Sequence, residues 1–343
     1  MIRHGLIIFL LGISMVTEAY EVDNFTERHH PLKDSRDVLN KEVNRRLEQA
    51  MKITDARARR NKTGRCRDDD LYDAVKSSVG GGVIGSLETF ADSNKDVDKH
   101  VEQKSNIYSN RSSEDKRSGF VMSVAGLNSS INVNGEYIGA DKLGHFFDEG
   151  YDYYRQAKRK DNFQEGIKEA LVYGHDLESG MLGFATTGIK SYGDLVANYS
   201  GLQFWMSLRG GAKPYFQCQA GKWVQIRDFD FADYVNAGWD EAINCSEYES
   251  PTMEEAVREK AKKYEKWSQA NSKPKKFVCP VSPKACVKLK ELYGPKAENL
   301  LGLPCFSAKD DGTESGHYSA QVPSSNAKSS SSTNTAPPVG GTR

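Results

Sequence analysis

From Asp34 to Arg60 apolar residues recur at Leu39, Val43, Leu47 and Met51, in steps of four, among arginines, lysines and glutamates. That period covers one face of an α-helix and predicts an amphipathic outer arm with one wet side. The same step runs through Leu71, Val75, Val79, Val83 and Leu87, so a second helix is expected from Leu71 to Phe90. Gly80, Gly81, Gly82 and Gly85 interrupt it. Glycine weakens a helix, so close backbone packing is the expected reason for keeping it there. The polar stretch from Ser93 to Ser118 reads as a loop or loosely ordered insert.

The segment Gly139 to Arg209 is the densest in apolar and aromatic residues and is expected to form the structural centre. Three helices fit it: Ala140 to Arg159, Phe163 to about Phe184, and a third opening at Ser191, where Ser191-Tyr192-Gly193-Asp194 has the form of a capping box. Tyr215 to Cys218 and Trp223 to Ile226 flank a Gly-containing turn and predict a hairpin. Phe231 to Asn244 reads as helical, and Ser250-Pro251 caps a charged helix running to about Gln269. From Ser307 onward serine, threonine, proline and glycine dominate, a composition that cannot bury enough surface to fold.

The expected fold is therefore mainly α, a central helical bundle with a small β-hairpin and disulfide-stapled C-terminal helices. The expected organisation is N-terminal helices and a polar insert over 20–118, the helical core over 119–210, a cysteine-containing hairpin and helices over 211–306, and a disordered tail over 307–343.

Residues 1–19 carry Arg3 and His4, an apolar run from Gly5 to Val16, and Thr17-Glu18-Ala19, which is the pattern of a signal peptide. A helix needs about 20 apolar residues to span a bilayer, so the run is too short for a retained anchor and no spanning segment is expected in the mature chain. The expected location is periplasmic or secreted. Equal numbers of basic and acidic side chains, 47 each, argue against nucleic acid as a partner. The six cysteines favour disulfides in an exported chain. Proximity suggests Cys218 with Cys245 and Cys279 with Cys286. No C-x-x-C pair occurs, so a zinc-cysteine site is not expected.

The candidate chemistry lies in the centre. Asp141, His145, Asp148 and Asp152 recur at steps of four, three and four, on one helical face with Glu149 at its edge. His175 and Glu178 share a stripe with Leu171 and Leu182, which turns them toward packed neighbours, and Asp194, Asn198 and Gly201 share a face of the third helix. A histidine among carboxylates can move protons near neutral pH, since a nearby anion raises its pKa and burial lowers it. Alternatively, His145, His175 and Glu178, with Asp141 or Asp194, would supply the nitrogen and oxygen ligands of a divalent metal. Glu149 and Glu178 could act as the two carboxylates of a glycan hydrolase. The bland alternatives are a network that only ties helices together, and aspartates that merely cap helix starts.

The ordered set Asp141-Lys142-Leu143-Gly144-His145-Phe146, Glu178, and Lys190-Ser191-Tyr192-Gly193-Asp194 through Asn198 to Gly201 resembles the VanZ-like proteins and a related group of small periplasmic proteins of unknown function. The resemblance covers about residues 139–205. It implies that Asp141, His145, Glu178, Asp194 and Asn198 converge, and it implies a cell-envelope role; Lys142 and Lys190 belong to the same motifs, and Glu149, at the edge of the His145 face, is a further polar candidate. VanZ-like proteins are commonly membrane-embedded, whereas this chain has no expected span outside its leader. The expected function is an exported bacterial envelope protein whose buried His/Asp/Glu site binds or hydrolyses a cell-wall or lipid-linked ligand. The rival is a structural or interaction protein in which the cluster only locks helices.

Overall fold

A computed structural model describes residues 21–26, 28, 30–61, 65–81, 85–101, 106–109, 126–180, 182–268 and 279–308. The expected signal peptide, the tail beyond residue 308 and much of the expected polar insert lie outside the described residues. In chain order the elements are β1 (Glu21–Val22), α1 (Arg36–Asn61), α2 (Asp68–Val79), α3 (Ser86–Ser93), β2 (Lys99–His100), β3 (Leu127–Asn128), β4 (Ser130–Val133), β5 (Glu136–Gly139), α4 (Lys142–Phe147), α5 (Glu149–Ala157), α6 (Phe163–Glu178), β6 (Ile189–Lys190), α7 (Tyr192–Met206), β7 (Phe216–Gln219), β8 (Lys222–Gln225), β9 (Glu247–Tyr248), α8 (Pro251–Ser268), α9 (Pro283–Tyr293), α10 (Ala297–Leu300) and α11 (Leu303–Ser307). The chain is mainly α-helical, as its periodicity predicts. β1 pairs in parallel with β3, β2-β4-β5 form an antiparallel sheet, and β6-β9 and β7-β8 are antiparallel pairs.

The bundle is organised around α7, which is buried on nearly every side, as a helix in the middle of a core must be. It crosses α5 where Gly201 meets Gly150; a Cβ on Gly201 would lie 1.9 Å from the Phe146 carbonyl oxygen. Phe146, Phe147, Phe204, Phe229, Phe231 and Tyr234 interlock in edge and tilted contacts beside this crossing. One apolar core joins α1 and α2 to the central helices, the β7-β8 hairpin and the C-terminal helices. The Ser191 cap is present, accepting from the Asp194 amide, and Ser250 accepts from the Met253 amide at the head of α8.

Five expectations require correction, the simplest being that the helix starting at Phe163 ends at Glu178 rather than at about Phe184. The helix predicted from Leu71 to Phe90 is two, α2 and α3, and Gly85 between them lies against Gly144 so closely that a Cβ would stand 2.8 Å from its Cα. The helix predicted from Ala140 to Arg159 breaks at Asp148, whose carboxylate turns away to Lys76 and the Gly81 amide. Phe231 to Asn244 forms two 3-10 turns, because Asp230, Asn236 and Asp240 each accept from an amide two residues on and divert the backbone from a helix. The disulfides are Cys66–Cys218, Cys245–Cys279 and Cys286–Cys305, not Cys218–Cys245 and Cys279–Cys286; bridging follows Cα separations of 5.0–5.9 Å in space.

The β7-β8 hairpin falls where predicted, with Ala220 and Gly221 at positive φ. The β4-β5 hairpin went unpredicted although Asn134-Gly135, both at positive φ, is a strong two-residue turn signal. Among the described residues no helix is long and apolar enough to cross a membrane.

Candidate functional site

Lys142, at the start of α4, is fully buried, and its ammonium is surrounded by carboxylates: Asp141 Oδ2 at 2.8 Å, Asp194 Oδ1 at 2.6 Å and Glu241 Oε1 at 2.7 Å. Asp141 occupies the position before α4 but makes no capping hydrogen bond; its side chain serves Lys142 instead. Asp194 comes from the first turn of α7, and Glu241 from the loop after the second 3-10 turn, where the Ser191 hydroxyl also donates to it at 2.8 Å. A buried lysine keeps its charge only when anions offset lost hydration. Burial opposes the charge here, yet Asp141, Asp194 and Glu241 outweigh it and hold the Lys142 pKa well above its ordinary value.

One helical turn beyond Asp141, His145 places Nε2 3.3 Å from Asp194 Oδ2 and Nδ1 3.9 Å from Glu149 Oε2. Burial lowers its pKa, but Asp194, Glu149, Glu178 and Asp141 together lift it to about 9. Asn198, one turn past Asp194 on α7, meets Nδ1 at 3.1 Å. With its oxygen inward, the Asn198 amide accepts from Nδ1–H, the arrangement for an imidazolium or for a ring whose Nε2 holds a ligand. With its nitrogen inward it donates to Nδ1 and to the carbonyl oxygens of His145 and Asp194, which suits a neutral ring. The orientation of Asn198 therefore follows whether His145 Nδ1 carries a proton.

Glu178, at the end of α6, is buried with Oε1 unpartnered; burial and then Asp194 lift its pKa to about 8, although His145 and Lys142 pull it down. Burial also raises Glu241 to about 7, against the pull of Lys142. Asp141 is raised as well, by burial, while in Asp194 the effect of burial is outweighed by His145 and Lys142, which hold it below the usual carboxylate range. Asp194 thus favours the charged form more than any other carboxylate of the cluster, and Glu178 is shifted toward its protonated form.

The structure brings together Asp141, Lys142, His145, Glu149, Glu178, Asp194 and Asn198. His175 and Lys190 are corrections: His175 Nε2 lies 2.6 Å from the Asn299 carbonyl oxygen and its ring packs edge-on to Tyr192, while Lys190 pairs with Glu247, so both belong to a separate group. Burial and Lys190 lower the His175 pKa. The expected grouping of His145, His175 and Glu178 is therefore not formed; the residues that could hold an ion are Asp141, His145 and Asp194, whose donor atoms lie within 4.8 Å of one another, all buried. Asp148 and Asp152 leave the site at the α4-α5 break, for Lys76 and Arg155.

Sequence reasoning missed three carboxylates around this cluster. Glu241 stands 99 residues from Lys142 with no spacing signal to link them. Glu21, on β1, accepts from Thr187 Oγ1 at 2.6 Å, and burial raises its pKa well above the ordinary value. Glu88, on α3, accepts from Asn128 at 2.7 Å and is lifted by burial to about 7; its place in the helical pattern as a polar residue among apolar neighbours was the available signal. No family model, no curated protein and no solved structure matches this chain.

Proposed function

We propose that Asp141, His145 and Asp194 bind a divalent cation, and that this centre hydrolyses a cell-wall or lipid-linked ligand in the bacterial envelope. The observation that carries the cation is the convergence of one imidazole and two carboxylates from separate elements inside a buried site where further carboxylate oxygens, Asp141 Oδ1 and Glu178 Oε1, lack partners. Such a nitrogen and oxygen set suits a borderline or hard divalent ion, and an ion so held lowers the pKa of bound water and polarises a scissile carbonyl or phosphoryl group. Asp141, His145 and Asp194 would hold the ion, Asn198 would orient His145 from behind, and Glu178 would take or return the proton at its Oε1. Export to an oxidising compartment accords with the three disulfides and with the leader pattern of residues 1–19, and the envelope assignment follows the VanZ-like resemblance of residues 139–205.

Titration calorimetry of the metal-free protein with Zn2+ and Mn2+, set beside His145→Ala, tests the cation; indifference of both proteins to both ions sinks it. Released muropeptides from purified peptidoglycan test the hydrolysis. The rival reading, a purely structural lock, is favoured by one observation: all three carboxylates around Lys142 engage its ammonium. Under that reading His145→Ala loses stability and no ion binds.

A further inference from the structure

Two cation positions in this cluster share one pair of aspartates. Lys142 Nζ fills the first, among Asp141, Asp194 and Glu241. The second is the triad of Asp141, His145 and Asp194. Asp194 spans both, with Oδ1 on the ammonium and Oδ2 toward His145. Asp141 also belongs to both, giving Oδ2 to the ammonium and keeping Oδ1 unpartnered. Carboxylates shared between adjacent cations are the plan of a two-metal centre. In this chain an ammonium stands in one of the two places.

The first position carries more acid than one ammonium uses. Glu241 is 2% exposed and its Oε2 has no hydrogen-bond partner. Unpaired buried carboxylate oxygens are costly, and a divalent ion, which takes several oxygen ligands, satisfies more of them than an ammonium with three donors.

We propose that Lys142 is a built-in substitute for a second divalent cation: it restricts the native centre to a single ion, and its removal opens a carboxylate position, lined by Asp141, Asp194 and Glu241, for a hard ion such as Mn2+ or Mg2+. This rests on the cation reading above and deepens it by fixing the number of ions and so the reaction class, a one-metal hydrolysis. Lys142 is a positioning residue. Fully buried, with Asp141, Asp194 and Glu241 on its ammonium, it determines which aspartate oxygens remain for the ion.

The test uses the full, disulfide-bonded chain, stripped of metal and equilibrated with excess Mn2+, with ion content by elemental analysis and coupling by electron paramagnetic resonance. The parent is expected to hold one ion with the spectrum of an isolated Mn2+. Lys142→Ala is expected to hold two, with an exchange-coupled spectrum, because shared carboxylates place ions about 3.5–4 Å apart. Adding Glu241→Gln should weaken the second ion at least tenfold. One ion in both parent and Lys142→Ala, two uncoupled ions in the variant, or two ions in the parent overturns this inference while leaving the cation reading intact. A parent that binds none removes the cation reading and this one with it. Should Lys142→Ala unfold without metal, Mn2+ must restore its circular dichroism; failure to do so also overturns the proposal.

Discussion

Replacing Lys142 by Met removes the ammonium while nearly conserving side-chain length, and so isolates the charge. Asp141, Asp194 and Glu241 then face one another at 2.6–2.8 Å from the emptied position with no counter-ion between them. Removing one partner of a buried ion pair costs about 3–5 kcal/mol, because the remaining charge stays desolvated. That loss depends on pH in a definite direction. Glu241 already sits at about 7 and Asp141 is already raised, both by burial, with Lys142 holding them down; without the ammonium both rise further and take up protons in acid. Neutral carboxyls tolerate burial, so the loss should reach its full size near pH 8.5 and shrink near pH 5.5. Guanidinium unfolding followed by the fluorescence of the fully buried Trp205 and Trp239 reads the difference at the two pH values. At pH 8.5 the loss corresponds to a fall in Tm on the order of 10 °C. A loss below about 1 kcal/mol at both pH values, or a loss larger in acid, refutes the account of how this cluster is held.

Further predictions follow the same physics. Stability of the metal-free protein should fall steadily from about pH 5 to pH 9: the raised His145 contributes fully below its ordinary 6.5 and loses its contribution as pH passes about 9, while Glu88, Glu178 and Glu241 contribute below their ordinary 4.5 and lose it through about 7 to 8. His175, held low by burial and Lys190, acts oppositely below its ordinary 6.5, and Asp194, also held low, does so only in stronger acid; a single lowered histidine opposes four raised groups, so a melting temperature that rises between pH 5 and 9 in calorimetry contradicts the assignment. Gly201→Ala should destabilise by about 3 kcal/mol or more because its Cβ meets the Phe146 carbonyl oxygen at 1.9 Å, whereas Gly210→Ala, with its nearest atom at 3.3 Å, should cost little; equal effects in urea unfolding count against the close α5-α7 crossing. His175→Ala should cost about 1 kcal/mol for the lost bond to Asn299 and leave ion binding unchanged, and a loss of ion binding in calorimetry would return His175 to the site. Non-reducing peptide mapping should recover Cys66 with Cys218, and removing that bridge, which closes the widest separation at 152 residues, should cost about 2–5 kcal/mol; recovery of Cys218 with Cys245 refutes the pairing.

Local pattern was enough for much of this protein. The helix of the outer arm follows from a step of four in the apolar residues, because a helix face repeats at that spacing wherever it packs, and the central helices were placed by apolar density and the Ser191 cap, with their bounds corrected by the fold. The Ser191 and Ser250 caps follow from side chains that reach backbone amides three residues away, and the β7-β8 hairpin from its Gly-containing turn. Asp141 with His145, and Asp194 with Asn198, were legible as pairs because one turn of helix puts them on one face.

Tertiary structure decided what those pairs meet. The break at Asp148 depends on Lys76 and Gly81, more than sixty residues earlier, and it is this break that sends Asp148 and Asp152 away from His145. Glu241 reaches Lys142 across 99 residues, Glu21 arrives on a strand paired with β3, and His175 is drawn to the Asn299 carbonyl oxygen rather than to His145. Cysteine pairing was likewise set by distance in space. Hydrophobic periodicity reports which side of an element is buried, but the identity of the partner for a buried charge depends on which elements pack together, and that is fixed only when the whole core closes.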